Sequence, residues 1–334
     1  MQQMDSFINT MYKVSVIVPI YNVERFIERC VKSLMEQTLQ DVEYIFVDDA
    51  ATDNSMKILA ATLAEYSDRN IQILVHQENK GLPAARNTGL AVATGEYVFH
   101  CDSDDYMEKD MLEALYKKAK ETDADIVWCD WFLSFEKNER YMKQPSFSMP
   151  IDALKAMLSG GMKYNVWNKL ARRSLYIDND IYFPAGFGMG EDQTMMMLFA
   201  CAKKVAYVPQ AFYHYVKLNT GSFTRTPSMT HFNALRHNVN RTVEFIKNKF
   251  GDSLDKEIAF LKLDAKFPFL IMSDNSMYKL WLSWFPEANK YIWENKHIPL
   301  RSRIIQWCAY KKQFWIVRLY YQVIIRFVYG IIFR

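Results

Sequence analysis

The chain has 334 residues, half of them hydrophobic, with 41 Lys and Arg against 38 Asp and Glu. It is too long for a disulfide-stapled miniprotein and too apolar for a disordered chain, and with 11 Gly and 10 Pro it is neither collagen-like nor low-complexity. The formal charge of +3 conceals an uneven distribution: Asn295 to Arg334 holds eight Lys and Arg and no acid, which leaves 33 against 38, or −5, for the rest.

The first third alternates β-rich runs with stretches of helical period, the pattern of an α/β protein with a mostly parallel sheet covered by helices. The spacing predicts a strand over Val14 to Pro19, with Pro19 as its stop. A helix capped by Asn22 comes next, in which Phe26, Ile27, Cys30, Val31, Leu34 and Met35 share one face. A strand at Glu43 to Asp48 follows, then a capping cluster at Thr52 and Asp53 and a helix carrying Ile58, Leu59 and Leu63. Ile71 to Val75 is the third strand, Lys80 and Gly81 lead into a helix, Tyr97 to Cys101 is the fourth strand, and Asp125 to Cys129 is a further one. Phe135 to Pro150 reads as a loose junction, Met195 to Ala200 as an apolar helix, Phe212 to Tyr215 as a late strand, and the chain beyond Met229 as helices. The expected division is 1–228, in halves of 1–130 and 131–228, followed by a helical region over 229–334.

Cysteines at 30, 101, 129, 201 and 308 form no CxxC pair and sit in apolar runs, as small buried hydrophobes in a reducing compartment would. The first twelve residues, with an acid at Asp5, show no secretory signal.

Ligands of open α/β sheets bind at the carboxyl ends of the strands. Here those ends carry Tyr21, Asp48, Asp49, Asp102, Asp104 and Asp105. Carboxylates so close repel one another unless a cation or donors neutralise them, and oxygen donors without cysteine suit Mg²⁺ or Mn²⁺, which share their shell with water and substrate phosphates. The same acids also suit a solvated turn with helix caps, and the residues alone leave both roles open.

Four segments in order, VSVIVPIYN at 14–22, VDDAATDNS at 47–55, GLPAARNTG at 81–89 and DSDD at 102–105, resemble the family 2 glycosyltransferases of GT-A fold. The resemblance implies a nucleotide-sugar site made by Pro19, Tyr21, Glu24, Asp49, Arg86, Asp102, Ser103 and Asp104. In the family, the residue at Tyr21 lies near the base and that at Asp49 bonds the uracil of a UDP-sugar. Arg86 matches an arginine near the diphosphate, Asp102 the acid at the ribose, and Asp104 the acid that holds the metal. The plainer roles are a helix-surface ion pair for Arg86 and a core-edge aromatic for Tyr21. Where the family usually has Gly-Ser after its paired acids this chain has Ala50 and Ala51, which removes easy access to positive φ.

GFGMGED at 186–192 precedes an apolar helix. Glu191 and Asp192 are by themselves helix-start acids. The resemblance implies more, since inverting members place a Glu-Asp pair here whose Asp is the general base, with Glu191 orienting acceptor or base. VWNKL at 166–170 resembles an acceptor-side segment of polysaccharide-assembly members, where Trp167 either packs or stacks on a sugar and Lys169 is either surface charge or a phosphate contact. In related folds a late histidine, here His214, completes the metal shell with Asp102 and Asp104, and a late loop, here 219–222, closes over the diphosphate; a structural histidine is the plainer role.

In the basic tail Arg318, Gln322 and Arg326 are four apart, so a helix would set them as a polar stripe against Val317, Ile324, Phe327, Val328 and Ile331. The arginines interrupt any spanning run, so an anionic membrane surface bound through 299–334 is expected, with packing on the protein itself or a homodimer as the other roles and nucleic acid excluded by the long aliphatic runs. The processive members' QxxRW motif is absent. The expectation is therefore a cytoplasmic enzyme, peripheral on the inner face of the membrane. With Mn²⁺ or Mg²⁺ it transfers a single sugar, with inversion, from a UDP-sugar to a carbohydrate or polyprenyl-linked acceptor in capsule, exopolysaccharide or O-antigen assembly. Its rivals are a sugar-nucleotide pyrophosphorylase, which should carry a Gly-rich basic loop after its first strand, and a non-catalytic binding module, which should have lost the acids.

Overall fold

The computed structural model describes residues 12–188, 190–217, 228–272, 274 and 276–324. The chain divides into two compact units, Met1–Asp152 with Tyr164–Asn238, and Ala153–Lys163 with Val239–Arg334. The elements run β1 (Val14–Ile20), α1 (Ile27–Met35), β2 (Val42–Asp48), α2 (Ser55–Leu63), β3 (Asn70–Val75), α3 (Leu82–Val92), β4 (Tyr97–His100), β5 (Tyr106–Met107), α4 (Met111–Thr122), β6 (Ile126–Ser134), β7 (Glu139–Met142) and α5 (Pro150–Leu158). They continue with β8 (Lys169–Arg172), α6 (Arg173–Asp178), α7 (Thr194–Cys201), β9 (Val205–Val216), α8 (Met229–Phe250), α9 (Asp255–Lys266), α10 (Met277–Ser283), α11 (Leu300–Tyr310) and α12 (Phe314–Tyr320).

Among the described residues nine strands form one mixed sheet in the order β3-β2-β1-β4-β8-β6-β9-β5, with β7 on the side of β6. The first four are parallel, and β8 runs antiparallel between β4 and β6. β1 and β4 are buried along their whole length, as Val- and aromatic-rich strands covered on both faces should be. Helix α3 lies so close to β1 that a Cβ on Gly89 would meet Ile17 Cγ2 at 2.5 Å, so only glycine fits there.

Several expectations change. Pro19 does not stop β1: the strand runs to Ile20 with Pro19 opposite Val47, and pairing to β4 has already ended at Ile17, so on that side the missing N–H forfeits no ladder bond. Asn22 does not cap α1, because its Oδ1 accepts the Thr52 N–H at 2.8 Å. The stretch 135–150 contains β7, a short strand too exposed to show an apolar alternation. The boundary falls inside α8 rather than before it, because the start of α8 packs in the first unit, where His237 stacks on Phe187 at 3.7 Å and Asn238 Nδ2 donates to the Phe187 carbonyl. Residues 153–163 join the second unit, where Asn295 Nδ2 donates to the Ser159 carbonyl at 3.1 Å. All five cysteines are free, with 30, 101 and 129 buried.

In the tail, Val317 is buried and Phe314 stacks on Tyr278 at 5.0 Å, so the inner side of α12 packs on its own unit. Arg318 and Gln322 do not form a separate polar stripe; they share the exposed side with Trp315, Leu319 and Val323. Arg326, Phe327, Val328 and Ile331 lie outside the described residues, as does the loop at 219–222. No helix among the described residues is long and apolar enough to cross a membrane.

Candidate active site

The register that sets Ile20 opposite Asp48, and Ile17 opposite His100, delivers the segments after β1, β2 and β4 to one edge of the sheet. Tyr21 is 46% exposed there, whereas Pro19 is buried. Glu24 is exposed and works locally: its Oε2 accepts the Asn54 N–H at 3.0 Å, and its own N–H donates to Asp53 Oδ2 at 2.9 Å, which fastens the loop after β1 to the start of α2. Between them Ala50 takes φ 59, the left-handed region, at the position where the resembled family usually has glycine.

Asp49 is buried, and its carboxylate already has partners. Oδ1 meets His76 Nδ1 at 2.7 Å and the Lys80 N–H at 2.8 Å, and Oδ2 accepts the Gly81 N–H at 2.8 Å. His76 Nε2 in turn meets Thr88 Oγ1 at 2.8 Å. Gly81, with φ 84, is where the chain must turn into α3. In this arrangement Asp49 pins the turn that aims α3 and presents almost no surface to a base.

Arg86, on α3, is 1% exposed and joins two acidic groups that lie far apart in sequence. One guanidinium nitrogen, Nη2, meets Asp102 Oδ1 at 2.8 Å; the other, Nη1, meets Asp192 Oδ1 at 3.0 Å and Glu191 Oε1 at 3.6 Å. The Phe183 ring lies under the guanidinium at 5.3 Å, and Nε has no hydrogen-bond partner among the described residues. Burial disfavours the charge, but Asp102, Asp192 and Glu191 outweigh it and raise the pKa above the ordinary arginine value. One cation therefore serves three carboxylates.

Glu191 and Asp192 form a 3₁₀ turn ahead of α7, entered through Gly190 at φ 84. Burial and then the Asp192 charge push the Glu191 carboxyl up to about 8, against the pull of Arg86. Burial also raises Asp192, with Arg86 opposing and the Asp102 charge adding to the rise. Lys169, at the start of β8, is 1% exposed and donates from Nζ to the Asn165 carbonyl at 2.7 Å and to Asn168 Oδ1 at 2.9 Å. Burial lowers it to about 7, and the Asp192 charge works in the other direction. Trp167 is buried, stacked on Tyr213 at 4.6 Å and on Tyr215 at 5.3 Å, and so it packs rather than offering a sugar platform.

The acids after β4 differ among themselves. The Asp102 N–H donates to the Tyr213 hydroxyl at 3.1 Å, and its side chain is 24% exposed. Ser103 is buried and Asp104 half-buried. Asp105 is fully buried, accepts the Val216 N–H on Oδ1 at 2.7 Å and leaves Oδ2 without a partner among the described residues. Burial, then Asp104 and Asp102, holds its carboxyl well above the usual range, and through the Val216 N–H Asp105 braces β9.

Asp102 and Asp104 remain as oxygen donors for a cation. The nearby sulfurs of Cys30 and Cys101 point at the Asp102 carbonyl, at 3.8 and 3.5 Å, behind the acids. An all-oxygen pair with an excess of negative charge over Arg86 fits a hard divalent ion completed by water and phosphate, although no set of three ligating side chains exists among the described residues. His214 does not join them. Its ring lies between Tyr106, at 4.1 Å, and Phe132, at 4.8 Å, while Nδ1 meets Glu139 Oε1 at 2.7 Å and Nε2 meets Glu108 Oε1 at 2.9 Å. Both nitrogens are occupied, so the metal-ligand role expected for His214 has no free donor here. Sequence reasoning missed the meeting of residues 86, 102 and 192 and the support from Phe183 and Tyr213, since no local spacing encodes contacts made across the sheet.

A sequence profile of Glycosyl transferase family 2 matches residues 15–192. Glycosyltransferase GlyG of Streptococcus pneumoniae serotype 4 is 34% identical over 226 residues, 64% of this chain and 73% of GlyG. TarS, the poly(ribitol-phosphate) β-N-acetylglucosaminyltransferase of Staphylococcus aureus, is 30% identical over 218 residues, 63% of this chain but only 36% of TarS. The crystal structure of TarS 1–349 in complex with UDP-GlcNAc superposes with a TM-score of 0.69, at 21% identity, over 93% of this chain and 91% of that one. The fold is thus the GT-A fold, with C-terminal helices.

Proposed function

The chain belongs to glycosyl transferase family 2, and from that premise we propose that it moves a single sugar from a UDP-sugar to a hydroxyl of a carbohydrate or lipid-linked acceptor, with inversion, in the assembly of a surface polysaccharide. The observation that carries this reading is Arg86, whose two terminal nitrogens hold Asp102 on one side and Asp192 on the other. A donor's diphosphate and an acceptor's proton are the two charges such a transfer must manage, and Arg86 ties together the acids that would face them.

Asp192 is the base. Its raised pKa makes it a better proton acceptor than an ordinary surface carboxylate, and Arg86, held against it at 3.0 Å, favours its ionised form. As the acceptor oxygen bonds to the anomeric carbon, the bond to the diphosphate breaks and the hydroxyl proton passes to Asp192. Direct attack of this kind inverts the configuration. Glu191, held at about 8, is largely protonated near neutrality and can donate a hydrogen bond that orients acceptor or base. A divalent cation, Mg²⁺ or Mn²⁺, held by Asp104 and by the Asp102 oxygen that Arg86 leaves, would supply neutralisation of the leaving diphosphate. Tyr21, exposed at the strand end, is available to a base, whereas Asp49 acts through the turn it anchors.

TarS, solved with UDP-GlcNAc, supports a UDP-linked donor, and its poly(ribitol-phosphate) specificity supports a polymeric acceptor. The pyrophosphorylase rival has no support in a chain of this family, and the non-catalytic rival is disfavoured by the retained and clustered acids. The test is hydrolysis of UDP-, GDP- and dTDP-sugars with and without Mg²⁺ or Mn²⁺, alongside Asp104→Ala. UDP-sugar turnover that needs metal and falls at least tenfold in Asp104→Ala supports the reading. Metal-independent turnover, or a preference for another nucleotide, overturns it in that part.

A further inference from the structure

Helices α11 and α12 have an inner side that is satisfied and an outer side that is not. Inward, Ile305, Ala309 and Val317 are buried, Phe314 stacks on Tyr278, and Trp307 lies 5.7 Å from Trp293. Outward, Leu300 is 56% and Ile304 41% exposed one turn apart on α11, and Trp315, Leu319 and Val323 are 66%, 56% and 46% exposed, each four residues after the last. The i, i+4 pair on α12, carried on by Val323 in the helical turn just past its end, makes an apolar ridge, unlike the singly scattered exposed apolar residues of ordinary surfaces.

The cations lie in the same segments. Arg301, Lys311, Lys312 and Arg318 are exposed, and Arg318 falls within the apolar column between Trp315 and Leu319. The Lys311 ammonium sits against the Trp307 and Tyr310 rings, at 4.8 and 5.4 Å, so its stem covers aromatic surface while the charge faces outward. From Asn295 onward no acid interrupts them. A purely protein-binding apolar ridge has no need of four cations with no acid among them. A nucleic-acid surface has no need of an exposed Trp-Leu-Val column. A surface that is anionic above and hydrocarbon below answers to both features.

We propose that the outer face of α11 and α12 docks on an anionic phospholipid surface, with Trp315, Leu319 and Val323 entering the headgroup boundary and Lys311, Lys312, Arg301 and Arg318 meeting the lipid phosphates. This goes beyond the transfer reaction and stands on a different part of the molecule.

The test is co-sedimentation of the full chain with vesicles of phosphatidylglycerol mixed with phosphatidylcholine, and with phosphatidylcholine alone. The parent binds the anionic vesicles, and the binding weakens about tenfold or more between roughly 0.1 and 0.5 M salt. A Trp315→Ser, Leu319→Ser, Val323→Ser triple variant loses at least tenfold in partitioning. A Lys311→Gln, Lys312→Gln, Arg318→Gln variant loses a similar factor together with most of the salt dependence, while Met149→Ser, an exposed apolar change elsewhere, binds like the parent. Donor hydrolysis in solution stays at the parental rate in all of them, which separates failure of this proposal from failure of the catalytic reading. Equal binding to both vesicle types, or unaltered partitioning of either multiple variant, overturns the proposal. So does a parent that is dimeric at micromolar concentration, becomes monomeric in the apolar-face variant and never binds vesicles.

Discussion

Arg86 meets Asp102 and Asp192 at hydrogen-bond distance, with Glu191 beside it, from a position with 1% exposure, and that makes its effects separable from those of the acids themselves. In the proposed mechanism Asp192 must be ionised to accept a proton; burial raises its pKa and Arg86 lowers it. Removing the guanidinium in Arg86→Gln therefore lets the pKa climb further, and activity, lost as pH falls through that pKa, is lost at a higher pH. The acid limb of the kcat profile is expected to move to higher pH, with kcat at its plateau down about a hundredfold or more. A limb that stays in place would mean that Arg86 does not act on Asp192. Ala50 carries a second residue-scale prediction. Its φ of 59 costs an L-residue about 1–2 kcal/mol, partly offset by the greater chain entropy a glycine loses on folding, so Ala50→Gly is expected to stabilise the protein by about 0.5–1 kcal/mol in urea unfolding. The sequence shows only that alanine stands where the resembled family usually has glycine, and the positive φ shows where the cost falls.

Elements in the parallel half were legible because each carries its own signal. β1 and β4 are short runs rich in apolar residues, interrupted only by Ser15 and His100, and α1 repeats its apolar positions at helical spacing, so burial and period agree. β7 was not legible, since Glu139–Met142 is exposed and lacks a face to alternate, and the unit boundary was missed by about ten residues because α8 continues through it without a turn signal. His214 belongs to this scale too. Its position on a late strand was readable, but its partners Glu108 and Glu139 come from two other segments that only the sheet brings to it. Since those contacts fasten β9 to the residues after β5 and to β7, His214→Ala is expected to cost about 1–3 kcal/mol of stability while the metal concentration for half-maximal turnover stays within twofold. A large rise in that metal concentration would return His214 to the metal site.

Across the whole molecule the charge is divided, with −5 over the first 294 residues and +8 over the last 40. That division was readable from composition, but which side of the tail faces outward was not, because Val317 and Trp315 are equally apolar in sequence and only packing separates them. If the transferase and docking readings both hold, transfer to a lipid-linked acceptor in anionic vesicles should fall about tenfold between roughly 0.1 and 0.5 M salt while donor hydrolysis in solution changes less than twofold. Parallel salt responses in the two assays would detach the tail from acceptor delivery. The central claim concerns the other end of the charge ledger, the carboxylate held by Arg86. Its most direct test is Asp192→Asn, with UDP-sugar affinity measured by calorimetry and single-turnover transfer measured on the same sample. Donor affinity within about threefold of the parent and transfer slower by about a hundredfold or more is the expected result, and transfer at the parental rate would contradict Asp192 as the base.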